Sequence, residues 1–221
     1  MKLSFTEENY LKAIYGLSSG KKAGVNTNAI AEKLNTKASS VTDMVKKLAD
    51  KKLVNYEKYQ GVLLTREGKR IAVETIRKHR LWEVFLVEKL RFGWDEVHEI
   101  AEQLEHIQSS PLIDRLDEFL NFPRVDPHGD PIPDKNGKFQ EREETFELQQ
   151  CLQGDKLIIN GVSDTSSEFL VYLREQGLTL GTRFKIIHVF EFDKSMSLEL
   201  KNKERITVSQ MVTRNILVQK V

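Results

Sequence analysis

Four of the chain's five prolines stand within eleven residues, in the stretch FPRVDPHGDPIP (Phe122–Pro133). Proline fixes φ and lacks a backbone N–H, so neither a helix nor a central strand can run through such a segment. It cuts the 221-residue chain in two. Before it, apolar residues recur at helical spacing; beyond about residue 145 they fall in short β-prone runs such as KLIING, TRFKIIHVF, SLELK, RITVSQ and NILVQKV. The predicted class is mainly α with a small β domain, a barrel or sandwich carrying one helix near 166–176.

The first 70 residues divide further. FTEENYLKAIYGL predicts a helix capped by Thr6, and NTNAIAEKLN a short one capped by Asn26 or Thr27. ASSVTDMVKKLADKKLV predicts a third that begins at a serine cap, with Val41, Met44, Val45 and Leu48 on one face. LVNYEKY, a Gln60-Gly61 turn and VLLT then read as a hairpin. Three helices and a hairpin, in that order, make a winged helix-turn-helix over 1–70. Thr65 caps a long helix that stops before Gly93. WDEVHEIAEQLEHIQSS and PLIDRLDEFLNF, the latter opened by Pro111, complete a helical unit over 71–122. Residues 123–144 read as an ordered loop or linker, and 145–221 as the β domain.

Hydrophobic content of 39% and charged content of 30% are those of a soluble globular chain, with no apolar run long enough to span a bilayer. The amphipathic, acidic N-terminus does not read as a signal peptide. One cysteine, Cys151, excludes an intramolecular disulfide and a cysteine-rich zinc site, and a reducing cytoplasmic location is expected. Charge is uneven: residues 1–70 hold 14 Lys+Arg against 7 Asp+Glu, whereas 71–140 hold 9 against 14. That asymmetry suits an anionic partner for the first part and a cation for the second.

HEIAEQLEHI (His98–Ile107) packs two histidines and three glutamates into ten residues. At about 100° per residue, His98, Glu102, Glu105 and His106 share an arc of roughly 100°, while Val97, Ile100, Ala101, Leu104 and Ile107 take the opposite half. In the preceding helix His79 and Glu83 stand at i and i+4. If the two helices pack antiparallel, three imidazoles and three carboxylates face one gap, which a cation would neutralise. Oxygen and nitrogen ligands without sulfur favour Mn²⁺, Fe²⁺, Co²⁺, Ni²⁺ or Zn²⁺. No H-E-x-x-H motif marks a metalloprotease. A di-iron carboxylate oxidase would need E-x-x-H pairs in a four-helix bundle, for which the acidic helices are too few. The expectation is a regulatory metal site.

The third helix of the winged unit carries Ser39, Ser40, Thr42, Asp43, Lys46 and Lys47 on its polar faces, with Lys37 on the preceding turn and Lys58 on the wing. Small hydroxyls near a helix N-terminus can approach phosphates and base edges while lysines hold the backbone. Double-stranded DNA is the expected partner.

RKHRLWE…VHEIAEQLEHIQS, preceded by YEKYQGVLLT and followed by PHGDPIP, resembles the diphtheria toxin repressor family of metal-dependent transcriptional repressors along the whole chain. The resemblance implies a winged helix, a helical dimerisation and metal-binding domain, and a C-terminal SH3-like (FeoA-like) β-barrel. It implies a first metal site of His79, Glu83 and His98. A second would comprise Glu102, Glu105 and His106, completed from the first helix at Asn9, where the family has Met or Asp. Glu168 is the nearest candidate for a ligand from the SH3-like domain. Iron-type members have cysteine where this chain has Glu102, so the harder site leans towards Mn²⁺ over Fe²⁺; manganese-type members tend to have an acid where Lys12 stands. The implied function is a homodimeric repressor of metal-homeostasis genes such as those for metal uptake, with Mn²⁺ or Fe²⁺ as co-repressor. Two other readings are a winged-helix regulator indifferent to metal and a carboxylate/histidine metalloenzyme.

Overall fold

The computed structural model describes residues 3–18, 24–57, 60–140 and 144–221. Helix α1 (Phe5–Ser18) opens with a reciprocal pair: the Glu7 amide donates to Ser4 Oγ and the Ser4 amide to Glu7 Oε2. Ser4 is therefore the cap, not Thr6, because only Ser4 stands three residues before a glutamate that can bond back. Helix α2 (Thr27–Lys33) is capped by Asn26, whose side chain accepts from the Asn28 amide. Helix α3 (Ala38–Asp50) begins after Lys37, with no side-chain cap; the serines expected to cap it lie inside its first turn. Strands β1 (Val54–Glu57) and β2 (Gly61–Leu64) form the antiparallel hairpin. Leu11, Ile14, Ile30, Val41, Val45, Leu48 and Val62 pack into one core beneath it.

Helix α4 (Arg66–Glu88), capped by Thr65 as expected, is 23 residues long. Its first turn rests on the chain leaving α3: a Cβ at Gly68 would meet the Leu53 carbonyl oxygen at 2.0 Å. Helix α5 (Val97–Leu104) has only eight residues; Glu105 is its C-cap, still in helical conformation with its amide bonded to the Ala101 carbonyl, and His106 lies just beyond. Helix α6 (Ser110–Phe119) starts with Pro111 in its first turn.

The prolines keep 123–140 free of helix, yet this segment is ordered: Asp126 and His128 are buried, and the Val162 amide donates to the His128 carbonyl. Gly129, at φ +89°, permits that approach, since a Cβ there would strike the Asn160 carbonyl at 2.1 Å. The C-terminal unit is a six-stranded antiparallel sheet in the order β3 (Phe146–Glu147), β8 (Ile216–Lys220), β4 (Lys156–Val162), β5 (Arg183–Val189), β6 (Met196–Leu200), β7 (Arg205–Val208). Bulges at Ile159/Gly161 and Ile186/His188 bend it around Leu157, Leu173, Leu198 and Val218. Helix α7 (Ser167–Glu175) matches the expected helix, and a short α8 (Gln210–Thr213) follows RITVSQ. Trp94, from the loop before α5, belongs to this core and donates its indole N–H to the Leu170 carbonyl. No helix among the described residues is long and apolar enough to cross a membrane.

Candidate metal centre

Antiparallel packing of α4 and α5 brings His79, Glu83 and His98 together, with a ligand atom of each within 4.8 Å of the others. Glu83 Oε1 is the focus: His79 Nε2 lies 3.0 Å away, His98 Nδ1 3.5 Å and His128 Nδ1 3.8 Å. Glu83, Asp126 and His128 form a second such group, all three buried. Asp126 and His128 were not singled out from the sequence; PHGDPIP marked a motif, but nothing in its spacing shows that it folds back over Glu83. His128 Nε2 lies 2.8 Å from the Trp94 carbonyl, which only accepts, so Nε2 carries a proton, and Nδ1 is turned towards Glu83.

The expected second set is arranged differently. His106 Nδ1 lies 2.6 Å from Glu8 Oε2, and Glu8 Oε1 accepts from Gln108. Glu8, another residue the sequence did not single out, thus accepts from Nδ1–H and leaves His106 Nε2 facing Glu105 Oε1 at 3.9 Å. Glu105 is fully buried, and its Oε2 meets His79 Nδ1 at 2.6 Å, joining the two sets. Between Glu105 and Glu102 stands Lys12: its ammonium donates to Glu105 Oε2 at 2.8 Å, reaches Oε1 at 2.7 Å, and lies 3.5 Å from Glu102. Glu102 is half exposed and also lies 3.6 Å from His98. Asn9 Oδ1 is buried with no hydrogen-bond partner. Glu168, exposed in the first turn of α7, joins neither group.

The protonation states follow from this geometry. Burial would lower the His79 imidazole, but Glu105 and Glu83, one at each nitrogen, push it up to about 9. Burial would raise Glu83, yet hydrogen bonds from His128, His79 and His98 hold it far below the usual carboxylate range. Glu105 is lowered against its burial by His79 and Lys12. Asp126 is pushed up to about 6 by burial, with Glu83 and Asp130 adding to it and Arg80 and His128 opposing. Protons and Lys12 thus balance a concentration of carboxylates. The donor set, oxygen and imidazole nitrogen with no thiol, fits a divalent transition metal, as do the orphaned amide oxygen of Asn9 and the oriented nitrogens of His106 and His128.

On α3, Lys37, Ser39, Ser40, Asp43 and Lys46 form an exposed polar face. Thr42, half-buried beside them, donates its hydroxyl to the Ala38 carbonyl one turn earlier. Lys47, expected on the same face, pairs with the buried Glu7 at 3.1 Å, alongside Lys51 at 2.6 Å. Lys58 lies outside the described residues.

Residues 2–62 match the family model "Iron dependent repressor, N-terminal DNA binding domain", 65–134 "Iron dependent repressor, metal binding and dimerisation domain", and 146–220 "FeoA domain". The chain is 37% identical over 115 residues to the HTH-type transcriptional regulator MntR of Oceanobacillus iheyensis, spanning 52% of this chain and 77% of that protein. It is 34% identical over 128 residues to the iron-dependent repressor IdeR of Mycobacterium tuberculosis, 58% of this chain and 55% of that one. A solved manganese-dependent transcriptional repressor in complex with manganese superposes with a TM-score of 0.85 at 33% identity, covering 97% of this chain and 100% of the other. ScaR with bound Zn²⁺ superposes at 0.73 with 32% identity, covering 97% and 99%.

Proposed function

The chain belongs to the iron-dependent repressor family of metal-dependent, DNA-binding transcriptional repressors, and within that family we propose a homodimeric, manganese-responsive repressor of metal-uptake genes acting in the cytoplasm. Its cofactor is a divalent metal ion and its partner DNA; the family members are regulators, not enzymes. The reading assigns 1–70 to DNA binding, 71–122 to dimerisation and metal, 123–144 to a linker and 145–221 to the SH3-like unit. One ion would be held by Glu83 with His79 and His98, and Asp126 and His128 stand beside the same carboxylate. A second position lies among Asn9, Glu102, Glu105 and His106. The observation that carries the manganese preference is the donor set itself. Glu102 offers carboxylate oxygen where iron-type relatives offer a thiolate, and the one cysteine, Cys151, is buried in the C-terminal core.

When bound, the metal supplies positive charge and fixed geometry at carboxylates that protons and Lys12 otherwise balance. The chain's own residues turn that into a change in DNA binding through α1. Asn9 and Glu8 reach from α1 to the centre, while Glu7, one residue earlier, grips Lys47 and Lys51 on α3. Shifting α1 towards the centre therefore moves the base of the recognition helix, whose exposed Lys37, Ser39, Ser40, Asp43 and Lys46 address the major groove. An arrangement that binds metal better is then the one presented to DNA.

The test is fluorescence anisotropy of a duplex from the chain's own promoter region, titrated in chelator, Mn²⁺, anaerobic Fe²⁺ and Zn²⁺. Duplex binding should require metal, with Mn²⁺ most effective, and E105Q or H106A should lose the metal dependence while remaining folded. Equal binding in chelator, or metal-dependent binding by both variants, defeats the assignment.

A further inference from the structure

The second metal position already holds a positive charge. Phe5, Glu8, Asn9 and Lys12 fall at i, i+3, i+4 and i+7, one stripe of α1. That stripe meets the end of α5: the Phe5 ring stacks on the His106 imidazole at 4.5 Å, Glu8 accepts from the same ring, and the Lys12 ammonium donates to Glu105. Two buried oxygens there accept no hydrogen bond. One is Asn9 Oδ1; the other is Glu105 Oε1, which the ammonium approaches to 2.7 Å without hydrogen-bonding geometry. The first set has no such occupant, since among the described residues the ion pairs of Glu83 are with histidines alone.

An ammonium within 2.8 Å of both oxygens of Glu105 fills the space in which that carboxylate would coordinate an ion. Two cations that close repel, so the ammonium and a metal cannot share Glu105. Lys12 has a way out. Its side chain is 21% exposed while Glu105 is fully buried, and the half-exposed Glu102 lies 3.5 Å from the ammonium. A lysine carries its charge on a flexible stem, so the head can leave while the stem stays packed. We propose that Lys12 is a displaceable cation that gates the second metal position. Its ammonium, keeping its proton, must swing out to solvent before Glu105, Asn9 and His106 are free to hold a divalent ion. The two positions are then unequal: the Glu83 set fills first, and the second fills only at a higher metal concentration, which Lys12 sets.

This gate presupposes the metal-binding function proposed above, and counting bound ions separates the two. Full-length wild type, K12M, K12Q and K12R are titrated with Mn²⁺, and the free ion is read from its electron paramagnetic resonance signal, with no DNA present. Wild type should bind in two unequal steps. K12M and K12Q lack the charge, and should tighten the weaker step by about ten-fold or more while leaving the tighter step unchanged. K12R keeps a cation and should not tighten it. K12Q also keeps a donor for Glu105, so one neutral variant remains folded if the other does not. A second ion that binds only in the neutral variants is the same result at its limit. Two equal steps in wild type, or a weaker step that is unchanged or still missing in both neutral variants, overturn the gate and leave the metal-binding function standing. No Mn²⁺ binding by wild type overturns both.

Discussion

Lys12 occupies the position a cation would be expected to hold between Glu102 and Glu105. Its side chain is 21% exposed, whereas the Glu105 carboxylate it neutralises is fully buried. Removing one partner of such a pair leaves an uncompensated charge, a loss of up to about 3–5 kcal/mol for a fully buried pair and less here because the lysine is partly solvated. K12M should therefore lower the melting temperature of the metal-free protein, and Mn²⁺ should restore it more than in wild type, because metal no longer competes with a tethered ammonium. Melting curves with and without Mn²⁺ check this; identical shifts in the two chains would show that Lys12 is a bystander. Part of the centre is legible residue by residue. His79 and Glu83 are one helical turn apart, and His98 heads the next acidic helix. Glu8 is not, because its histidine lies 98 positions away in sequence. Asp126 and His128 are hidden for the same reason: only the folded loop tells them from acids and histidines of an ordinary turn.

At the scale of elements, α1 does the most with the least length. Glu7, Glu8 and Asn9 serve the recognition helix, His106 and the candidate second metal position in turn. The Glu7 carboxyl is drawn from its ordinary 4.5 down to about 2; burial opposes the shift, and Lys51, the Ser4 amide and Lys47 outweigh it. A carboxyl depressed on folding contributes stability that is complete above its unfolded value and lost as pH falls through the folded one. The α1–α3 link should thus hold at neutral pH and fail between about pH 5 and 2. Wild type should lose more melting temperature across that window than E7Q, which lacks the titrating group; parallel curves would refute the link. The elements were readable where local signals agree with tertiary demand, as at Thr65, Asn26 and the proline segment. They were misread where the two part. Thr6 and the serines of α3 look like caps locally, but Ser4 and Glu7 bond to each other across the first turn of α1, and α3 starts after Lys37.

Across the whole molecule, the C-terminal unit is fastened to the metal-binding helices by the loop before α5 and by the proline segment, where the Val162 amide donates to the His128 carbonyl. Trp94 sits in the C-terminal core, Asp95 pairs with Arg174 at 2.6 Å, and the Trp94 carbonyl orients His128. W94A should remove about 3–5 kcal/mol of packing from that joint. Calorimetric melting should then separate into two transitions, and Mn²⁺ affinity should fall about ten-fold or more as His128 loses its support. A single, unshifted transition with wild-type affinity would mean that the two units are held by something else. None of this docking was legible, since sheet and helices each have a complete pattern of their own.

His106 finds the carboxylate that orients it ninety-eight positions upstream. On the ribosome, α1 and the whole winged helix emerge before a single imidazole of the centre exists, and His128 comes last of all. A chain in mid-synthesis is thus able to build its DNA reader but not its sensor. A protease cutting between the hairpin and His79 would return the molecule to that juvenile state, leaving a winged helix with no imidazole to hold a metal.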